Sequence, residues 1–254
     1  MNSEIIVKFS NISKIYKTKG LFSTKKNTAL KGFNFDMKRG EIVGLLGLNG
    51  AGKTTIMKLL TGLIFPNSGE VLIDGANPIF PETKEKIGFL PELPYFYPHM
   101  TCVEILTYYA NLSGLNNYKG KIDKVIEKVG LTSHSSKKIS EYSKGMMQRL
   151  GLAQSVLHEP QLLILDEPVS GLDPLAIHEV RKLISEINKE GTTVFLSSHS
   201  ISELEKICHR VIILSRGKII KTISSYAWKI AGGLEEIFIR SIKEHEKSEI
   251  KQVD

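Results

Sequence analysis

The chain has 254 residues, 41% hydrophobic and 24% charged, a composition typical of a globular protein with one domain and a subdomain, or with two domains. No apolar run approaches the length of a membrane span, and the N-terminus is too short and interrupted for a secretory signal peptide, so we expect neither. Cys102 and Cys208 lack metal-ligand spacing, which predicts two reduced core thiols.

The net charge is +7. Such an excess would suit nucleic acid or an anionic membrane surface, but it also arises when lysines cluster in one solvated loop. The cluster here consists of Lys14, Lys17, Lys19, Lys25 and Lys26. No basic stripe interleaved with aromatic residues is present, so a solvated loop is favoured and no specific nucleic-acid partner is expected.

The first predicted elements are strands. Residues 4–9 and 33–37 alternate apolar and polar side chains, as half-buried strands do. Residues 41–46 form an apolar run of strand length, and residues 70–74 lie between turn signals. Apart from 41–46, these segments predict a small antiparallel sheet beside a larger core.

Residues 47–54 read Gly-Leu-Asn-Gly-Ala-Gly-Lys-Thr, which matches the phosphate-binding loop G-x-x-x-x-G-K-[ST]. Glycines let the backbone wrap closely around polyphosphate, and the predicted helix over 54–61 adds its positive N-terminal end. Lys53 would reach the β- and γ-phosphates, and Thr54 would ligate Mg²⁺. A glycine-rich surface turn is the alternative, which the strand–loop–helix setting disfavours. The predicted nucleotide-binding residues are Gly47, Leu48, Asn49, Gly50, Ala51, Gly52, Lys53, Thr54 and Thr55.

Residues 98–158 have a helical pattern. Thr101 and Glu104 form a capping-box pair that opens a helix to about Leu112. A second helix, with apolar residues at the helical period over 122–129, ends at Gly130, and a third begins near Gly145. This predicts a helical insertion.

Strands and helices then alternate. We predict strands at 162–165, 193–197, 211–214 and 218–220, and helices from Asp173 to Gly191 and over 201–208. The alternation predicts an α/β fold with a parallel sheet. A nucleotide-binding domain over 1–224 would be followed by a short extension, 225–254, whose charged last dozen residues, Lys243–Asp254, are expected to fray.

Two carboxylates follow the buried strand 162–165. Ligands of α/β sheets bind at the carboxyl ends of strands, and adjacent side chains on a strand point to opposite faces. Asp166 is therefore predicted to hold Mg²⁺ while Glu167 acts as general base. Two solvated acids in a turn are the alternative, but four aliphatic residues rarely lead into such a turn.

Further motifs surround this acidic strand. Residues 142–149 read Tyr-Ser-Lys-Gly-Met-Met-Gln-Arg, residues 170–174 read Ser-Gly-Leu-Asp-Pro, and residues 197–199 read Ser-Ser-His. In this order they resemble the nucleotide-binding subunit of ABC transporters, from residue 4 to about 222. The family signature is Leu-Ser-Gly-Gly-Gln, which residues 142–146 keep at two positions. That form is similar to the exporters of the ABC-2 type, which move drugs, haem and polysaccharides.

The resemblance implies a fold and an activity. The fold would be a P-loop NTPase core with a parallel sheet, an N-terminal antiparallel β-subdomain and a helical insertion subdomain. The activity would be hydrolysis of ATP with Mg²⁺ by a homodimer or heterodimer of nucleotide-binding subunits. Ser143 and Gly145, at a helix N-terminus, would bind the γ-phosphate of ATP held by the other protomer. Asp173 would also bind nucleotide, and His199 would contact the γ-phosphate. Taken alone, Ser143 would be a structural N-cap.

Tyr16 has more than one interpretation, and Glu92 departs from the residue that is usual in the family. Tyr16 matches the aromatic residue that stacks on adenine, although a structural strand-end tyrosine fits almost as well and Phe22, in the long loop 17–27, is a competitor. Glu92 occupies the position of the family's Q-loop glutamine, where it would still ligate Mg²⁺ but adds a charge. The aromatic segment 93–99 would be either local core packing or the cleft that receives a helix from a membrane subunit.

The resemblance also implies partners. Separately encoded transmembrane permease subunits would hold the protein at the cytoplasmic face of the membrane. A soluble ABC ATPase acting on nucleic acid, on the ribosome or in cluster assembly is the alternative. The chain has one cassette and no heptad run, which counts against that alternative.

Overall fold

The computed structural model describes residues 4–19 and 24–250. They form two sheets flanked by helices. The strands are β1 (Ile5–Lys19), β2 (Thr24–Lys38), β3 (Ile42–Gly47), β4 (Ser68–Ile73), β5 (Ile87–Leu90), β6 (Leu162–Leu165), β7 (Thr193–Ser197), β8 (Arg210–Ser215) and β9 (Lys218–Ser224). The helices are α1 (Lys53–Leu60), α2 (Pro81–Lys84), α3 (Cys102–Leu112), α4 (Lys119–Lys128), α5 (Lys144–Val156), α6 (Pro174–Lys189), α7 (Ile201–Ile207), α8 (Ser225–Ile230) and α9 (Leu234–Ile250).

The larger sheet has the order β5-β6-β7-β3-β8-β9. Its neighbours pair in parallel except β8 and β9, which are antiparallel. Alternate residues of β6 enter different apolar clusters: Leu163 and Leu165 pack in one, Leu162 and Ile164 in the other. Both faces of the sheet are therefore covered at β6, which is why this strand is apolar throughout. The predicted α/β core is confirmed.

The smaller sheet is antiparallel, with the order β2-β1-β4, as predicted. Its inner face contains an aromatic cluster in which the rings of Phe9 and Phe33 meet edge to face, 5.1 Å apart. Phe35 lies 6.0 Å from Phe195 on β7 of the larger sheet. This contact joins the two sheets across a shared core.

The predicted loop 17–27 is wrong in its described part. Strands β1 and β2 continue pairing through this segment, with Lys17 opposite Lys26 and Lys19 opposite Thr24. Backbone hydrogen bonds can extend a two-stranded ribbon where no side chain is buried, so the polar sequence gave no strand signal. The clustered lysines therefore lie on strands. Phe22 lies outside the described residues.

The helical insertion forms between β5 and β6. The backbone N–H of Glu104 donates to the Thr101 hydroxyl at 3.3 Å, and the N–H of Thr101 donates to Glu104 Oε2 at 2.7 Å, which confirms the capping box. Gly130 has a φ of +66° just beyond α4. Cys102 and Cys208 are free and buried, as predicted, and burial raises the pKa of the Cys102 thiol to about 11.

The predicted fraying of residues 243–254 is wrong up to residue 250, where α9 ends. Leu234 and Ile242 are buried on one side of α9, and Phe238, which lies between them, packs against the same core. Trp228 of α8 is 2% exposed and belongs to that core as well. Apolar residues at intervals of four form the stripe that holds a charged helix to a core. No described helix has both the length and the apolarity needed to cross a bilayer.

The aromatic segment 93–99 divides between the two roles proposed for it. Phe96 is 6% exposed and meets the Tyr109 ring edge to face at 6.1 Å. Tyr95 is 82% exposed and Tyr97 is 48% exposed. Phe96 is therefore core packing, whereas its two neighbours are available at the surface.

Replacing Phe96 with alanine should leave a cavity beside Tyr109 and lower the free energy of unfolding by about 3–5 kcal/mol. Replacing Tyr95, which buries little, should change it by less than about 0.5 kcal/mol. Urea unfolding of both variants measures the difference. Equal effects of the two substitutions would contradict this division of the segment.

Candidate nucleotide site

Strands β6, β7 and β3 are neighbours in the sheet and run in parallel. Their carboxyl ends therefore meet at one edge, where α/β sheets bind ligands. A cavity of about 370 Å³ lies at this edge. Its lining residues are Tyr16, Asn27, Ala29, Leu48, Asn49, Gly50, Ala51, Gly52, Lys53, Thr54, Thr55, Glu92, Asp166, Glu167 and His199.

The glycine-rich loop leaves β3 and enters α1 at Gly52, which has a φ of +113°. A Cβ on Gly52 would lie 2.7 Å from the Ala29 carbonyl oxygen, so both conformation and space require glycine. Gly47, by contrast, does not have a positive φ. A Cβ there would lie 2.5 Å from the carbonyl oxygen of Leu214, so Gly47 is needed for close packing against β8.

Lys53 is 9% exposed, and its ammonium donates to the Gly47 carbonyl at 2.6 Å. Burial lowers the pKa of Lys53, and the nearby Glu167 and Asp166 carboxylates oppose that shift. A bound polyphosphate would favour the charged amine further. The amine thus lies at the base of the loop in a position to meet phosphate oxygens.

Glu167 is 6% exposed and faces His199. Its Oε2 accepts the His199 backbone N–H at 3.0 Å, and its Oε1 lies 3.2 Å from His199 Nε2. Oε1 accepts no hydrogen bond from the described residues, although it is buried. Burial raises the pKa of Glu167, with His199 and Lys53 lowering it and Asp166 raising it. Such a carboxylate is suited to accept a proton from a reacting water.

The site also has suitable ligands for Mg²⁺. Thr54 offers a hydroxyl, and Asp166 and Glu92 offer carboxylate oxygens, all lining the cavity. These are hard oxygen donors of the kind that Mg²⁺ selects. In residues 4–19 and 24–250, no group of three or more His, Cys, Asp or Glu side chains is arranged to hold a metal unaided. The donor set fits an ion that is completed by phosphate oxygens and water.

Tyr16 lies at the edge of the cavity and is 38% exposed. Its hydroxyl is 3.5 Å from Thr55 Oγ1, and the Lys14 ammonium is 5.3 Å from the centre of its ring. Tyr16 is within β1 and not at a strand end. Its position permits contact with a nucleotide base, and that role stays a prediction.

Ser143, Gly145 and Asp173 do not line this cavity. The Ser143 hydroxyl accepts the N–H of Met146 at 3.2 Å at the start of α5. Asp173 Oδ1 accepts two backbone N–H groups at 3.0 Å at the start of α6. Both residues are exposed helix N-caps. Any contact they make with nucleotide must involve a molecule held outside this chain's own cavity.

Sequence reasoning missed Asn27 and Ala29, which line the cavity from β2, and it gave no role to Ser197. The Ser197 hydroxyl donates to Asp166 Oδ1 at 2.7 Å and accepts the N–H of Glu167 at 3.0 Å. The available signal was a serine at the end of a mostly apolar strand. The partners lie about thirty residues away and could not be read from the pattern.

The fold and this loop define a P-loop nucleotide-binding protein. The family model described as ABC transporter matches residues 30–170, more than half of the chain. The chain belongs to this family, whose members bind ATP with Mg²⁺.

Individual relatives support the same family membership. The bacitracin transport ATP-binding protein BcrA of Bacillus licheniformis is 42% identical over 222 residues, covering 86% of this chain and 69% of BcrA. An uncharacterized ABC transporter ATP-binding protein of Nostoc is 40% identical over 223 residues, covering 86% of this chain. The chain spans just under two thirds of that relative's length, 66%. A solved ATP-binding subunit of an ABC transporter has a TM-score of 0.81 at 28% identity, covering 93% of this chain and 99% of that one.

Proposed function

We propose that this protein is the ATP-hydrolysing subunit of an exporter of the ABC-2 type. The observation that carries the proposal is that Lys53, Asp166, Glu167 and His199 line one cavity beside the glycine-rich loop. A relative named for bacitracin transport supports a role in transport over a soluble ABC ATPase acting on nucleic acid, the ribosome or cluster assembly. The transported compound would be chosen mainly by the membrane subunit.

In the proposed reaction, the loop and Lys53 hold the triphosphate and neutralise part of its charge. Glu167 takes a proton from a water as that water's oxygen bonds to the γ-phosphorus. The bond from the γ-phosphorus to the bridging oxygen of the β-phosphate breaks, which gives ADP and phosphate. His199 contacts the γ-phosphate and keeps Glu167 oriented through its backbone N–H. Mg²⁺, held by Thr54, Asp166 and Glu92, would supply positive charge at the phosphate oxygens.

Glu167→Gln should lower ATPase turnover by about a hundredfold to ten-thousandfold while ATP still binds, because an amide cannot accept the proton. Steady-state phosphate release and equilibrium ATP binding measure the two effects. The exposed Glu159, which does not line the cavity, provides a control, and Glu159→Gln should keep wild-type turnover. Turnover of Glu167→Gln within tenfold of wild type would exclude Glu167 as the base.

The assignment of Glu167 as the general base also predicts how ATPase activity depends on pH. A general base works only when deprotonated, and burial raises the pKa of Glu167. Wild-type activity should therefore be lost, as pH falls, at a higher pH than the ordinary glutamate pKa of about 4.3. The residual activity of Glu167→Gln should lack this acid limb.

The proposed assembly contains two ATP-binding protomers. Its support is the exposure of Ser143, whose hydroxyl proton is free to bond outward while its oxygen caps α5. The neighbouring helix N-termini of α5 and α6 carry a positive end toward any phosphate presented there by a second subunit. Whether that subunit is identical or different is left open by the proposal.

Ser143→Arg should block ATP-induced dimerisation, because the bulky cation occupies the phosphate-facing surface, while ATP binding by the monomer stays near normal. Sedimentation with ATP in the Glu167→Gln background measures dimerisation. Ser136→Arg, at another exposed serine of the helical insertion, is the control and should still dimerise. The loss of the Ser143 cap should cost about 1 kcal/mol of stability, too little to unfold the subunit. A dimer that persists in Ser143→Arg would reject the cross-protomer contact.

The proposed permease partner would bind a groove of about 930 Å³ between the segment 93–99, α2 and α3, which apolar, aromatic and some polar residues line. Its walls include the buried Phe96 and the exposed Tyr95 and Leu112. Aromatic side chains that are rigid and exposed are typical anchors of interfaces. A helix of a separately encoded membrane subunit would fill this groove and hold the protein at the cytoplasmic face.

Tyr95→Ala should remove one anchor and weaken binding to vesicles that contain the membrane subunits by about 2 kcal/mol, or about thirtyfold. Cosedimentation measures binding, and the basal ATPase of the free subunit should be unchanged. Tyr226 of α8, 76% exposed and outside the groove, gives the matched control Tyr226→Ala. Equal recruitment of Tyr95→Ala and wild type would rule out this groove as the docking site.

A further inference from the structure

Ser197 is the last residue of β7 and is fully buried. The residues before it, from Thr193 to Leu196, are also buried, and most of them are apolar. A hydroxyl placed in such surroundings without a partner costs about 1–3 kcal/mol, so its presence calls for a specific role. Ser197 has one partner for its proton and another for its oxygen.

Both partners belong to the acidic pair of the site. The Ser197 hydroxyl donates to Asp166 Oδ1 at 2.7 Å, which leaves Oδ2 of that carboxylate for another ligand. Its oxygen accepts the backbone N–H of Glu167 at 3.0 Å. One side chain therefore bridges the proposed metal ligand and the proposed base.

The hydrogen bond from the Glu167 N–H to Ser197 affects the backbone conformation of Glu167. Glu167 has a φ of +48°, in the left-handed region that a residue with a Cβ adopts only at a cost of about 1–2 kcal/mol. This conformation ends the extended course of β6 and brings the Glu167 side chain to His199. The hydrogen bond from the Glu167 N–H to Ser197 holds the peptide in that turn. The backbone N–H of His199, two residues after Ser197, donates to the Glu167 carboxylate.

We infer that Ser197 is a positioning residue for ATP hydrolysis, which fixes Asp166 and Glu167 relative to each other through its single hydroxyl. This inference rests on the proposed function, because it assigns a task to Ser197 within the same reaction. Residues 197–199 then act as one clamp, with Ser197 holding the Glu167 backbone and His199 holding its carboxylate. Ser197 does not line the nucleotide cavity, and its hydroxyl acts through the Asp166 carboxylate and the Glu167 backbone N–H.

The test uses the full chain with Ser197→Ala, Ser197→Cys and Ser197→Thr. Loss of the hydroxyl in Ser197→Ala should lower kcat by about tenfold to a hundredfold, the usual effect of removing a group that orients a ligand or base. KM for ATP should stay within about threefold of wild type, because the phosphate loop is intact. Ser197→Cys, of similar size but a weak hydrogen-bonding group, should behave like Ser197→Ala. Ser197→Thr retains the hydroxyl and should restore most of kcat.

A second readout is the assembly state of the protein in the presence of ATP. If Ser197→Ala slows hydrolysis and spares binding, it should accumulate an ATP-bound dimer in sedimentation without the Glu167→Gln substitution. Ser155→Ala removes another fully buried serine hydroxyl, on α5 and bonded to the Leu152 carbonyl at 2.9 Å. It controls for the structural cost of such a change and should leave kcat and the dimer unchanged at a comparable loss of Tm.

The outcomes are distinct. A kcat of Ser197→Ala within twofold of wild type would overturn the inference and leave the proposed function standing. Loss of ATP binding, or a fall in Tm far beyond that of Ser155→Ala, would also overturn it, since Ser197 would then support the fold and not the reaction. A wild-type protein that binds ATP without hydrolysing it would reject the proposed function, and the inference with it.

Discussion

Because β6, β7 and β3 pair in parallel side by side, the segments that leave them all begin at the same edge of the sheet. The phosphate loop follows β3, the acidic pair follows β6, and His199 follows β7. Residues more than a hundred positions apart in the chain meet there only because this strand order holds. The apolar clusters on both faces keep the strands in register, so the core and the site depend on the same pairing.

Burial at this edge acts in opposite directions on the two charged groups at its centre. It lowers the pKa of Lys53 and raises that of Glu167, because each charged form loses hydration. Each group partly compensates the other, and a polyphosphate would reinforce the charge on Lys53. Oε1 of Glu167 lies 3.2 Å from His199 Nε2 but accepts no hydrogen bond from the described residues, so it is available to accept a proton. A site arranged in this way favours function over the stability of the empty protein.

Two regions of the surface outside the cavity are proposed to contact partner subunits. The N-termini of α5 and α6 carry Ser143 and Asp173, whose side chains cap their own helices and face outward. The groove beside Tyr95 is rich in aromatic residues and lies beyond Glu92, which lines the nucleotide cavity. Glu92 and Tyr95 are three residues apart, so a short stretch of backbone connects nucleotide site and groove. Binding in the groove would therefore act close to a proposed metal ligand.

The sequence alone determined the elements whose signals are local: the apolar strands, the phosphate loop, and the helix starts at Thr101 and Asp173. Periodicity, glycine positions and capping depend on neighbours a few residues away, so they can be read directly. The tertiary structure decided what depends on distant contacts. It buried Phe96 and exposed Tyr95, extended the ribbon through Lys17, and held α9 on the core. It also joined Ser197 to the Asp166 carboxylate and the Glu167 backbone N–H, about thirty residues away. Burial and hydrogen bonding between separate segments follow from how the sheet brings them together, and no short window of sequence contains that information.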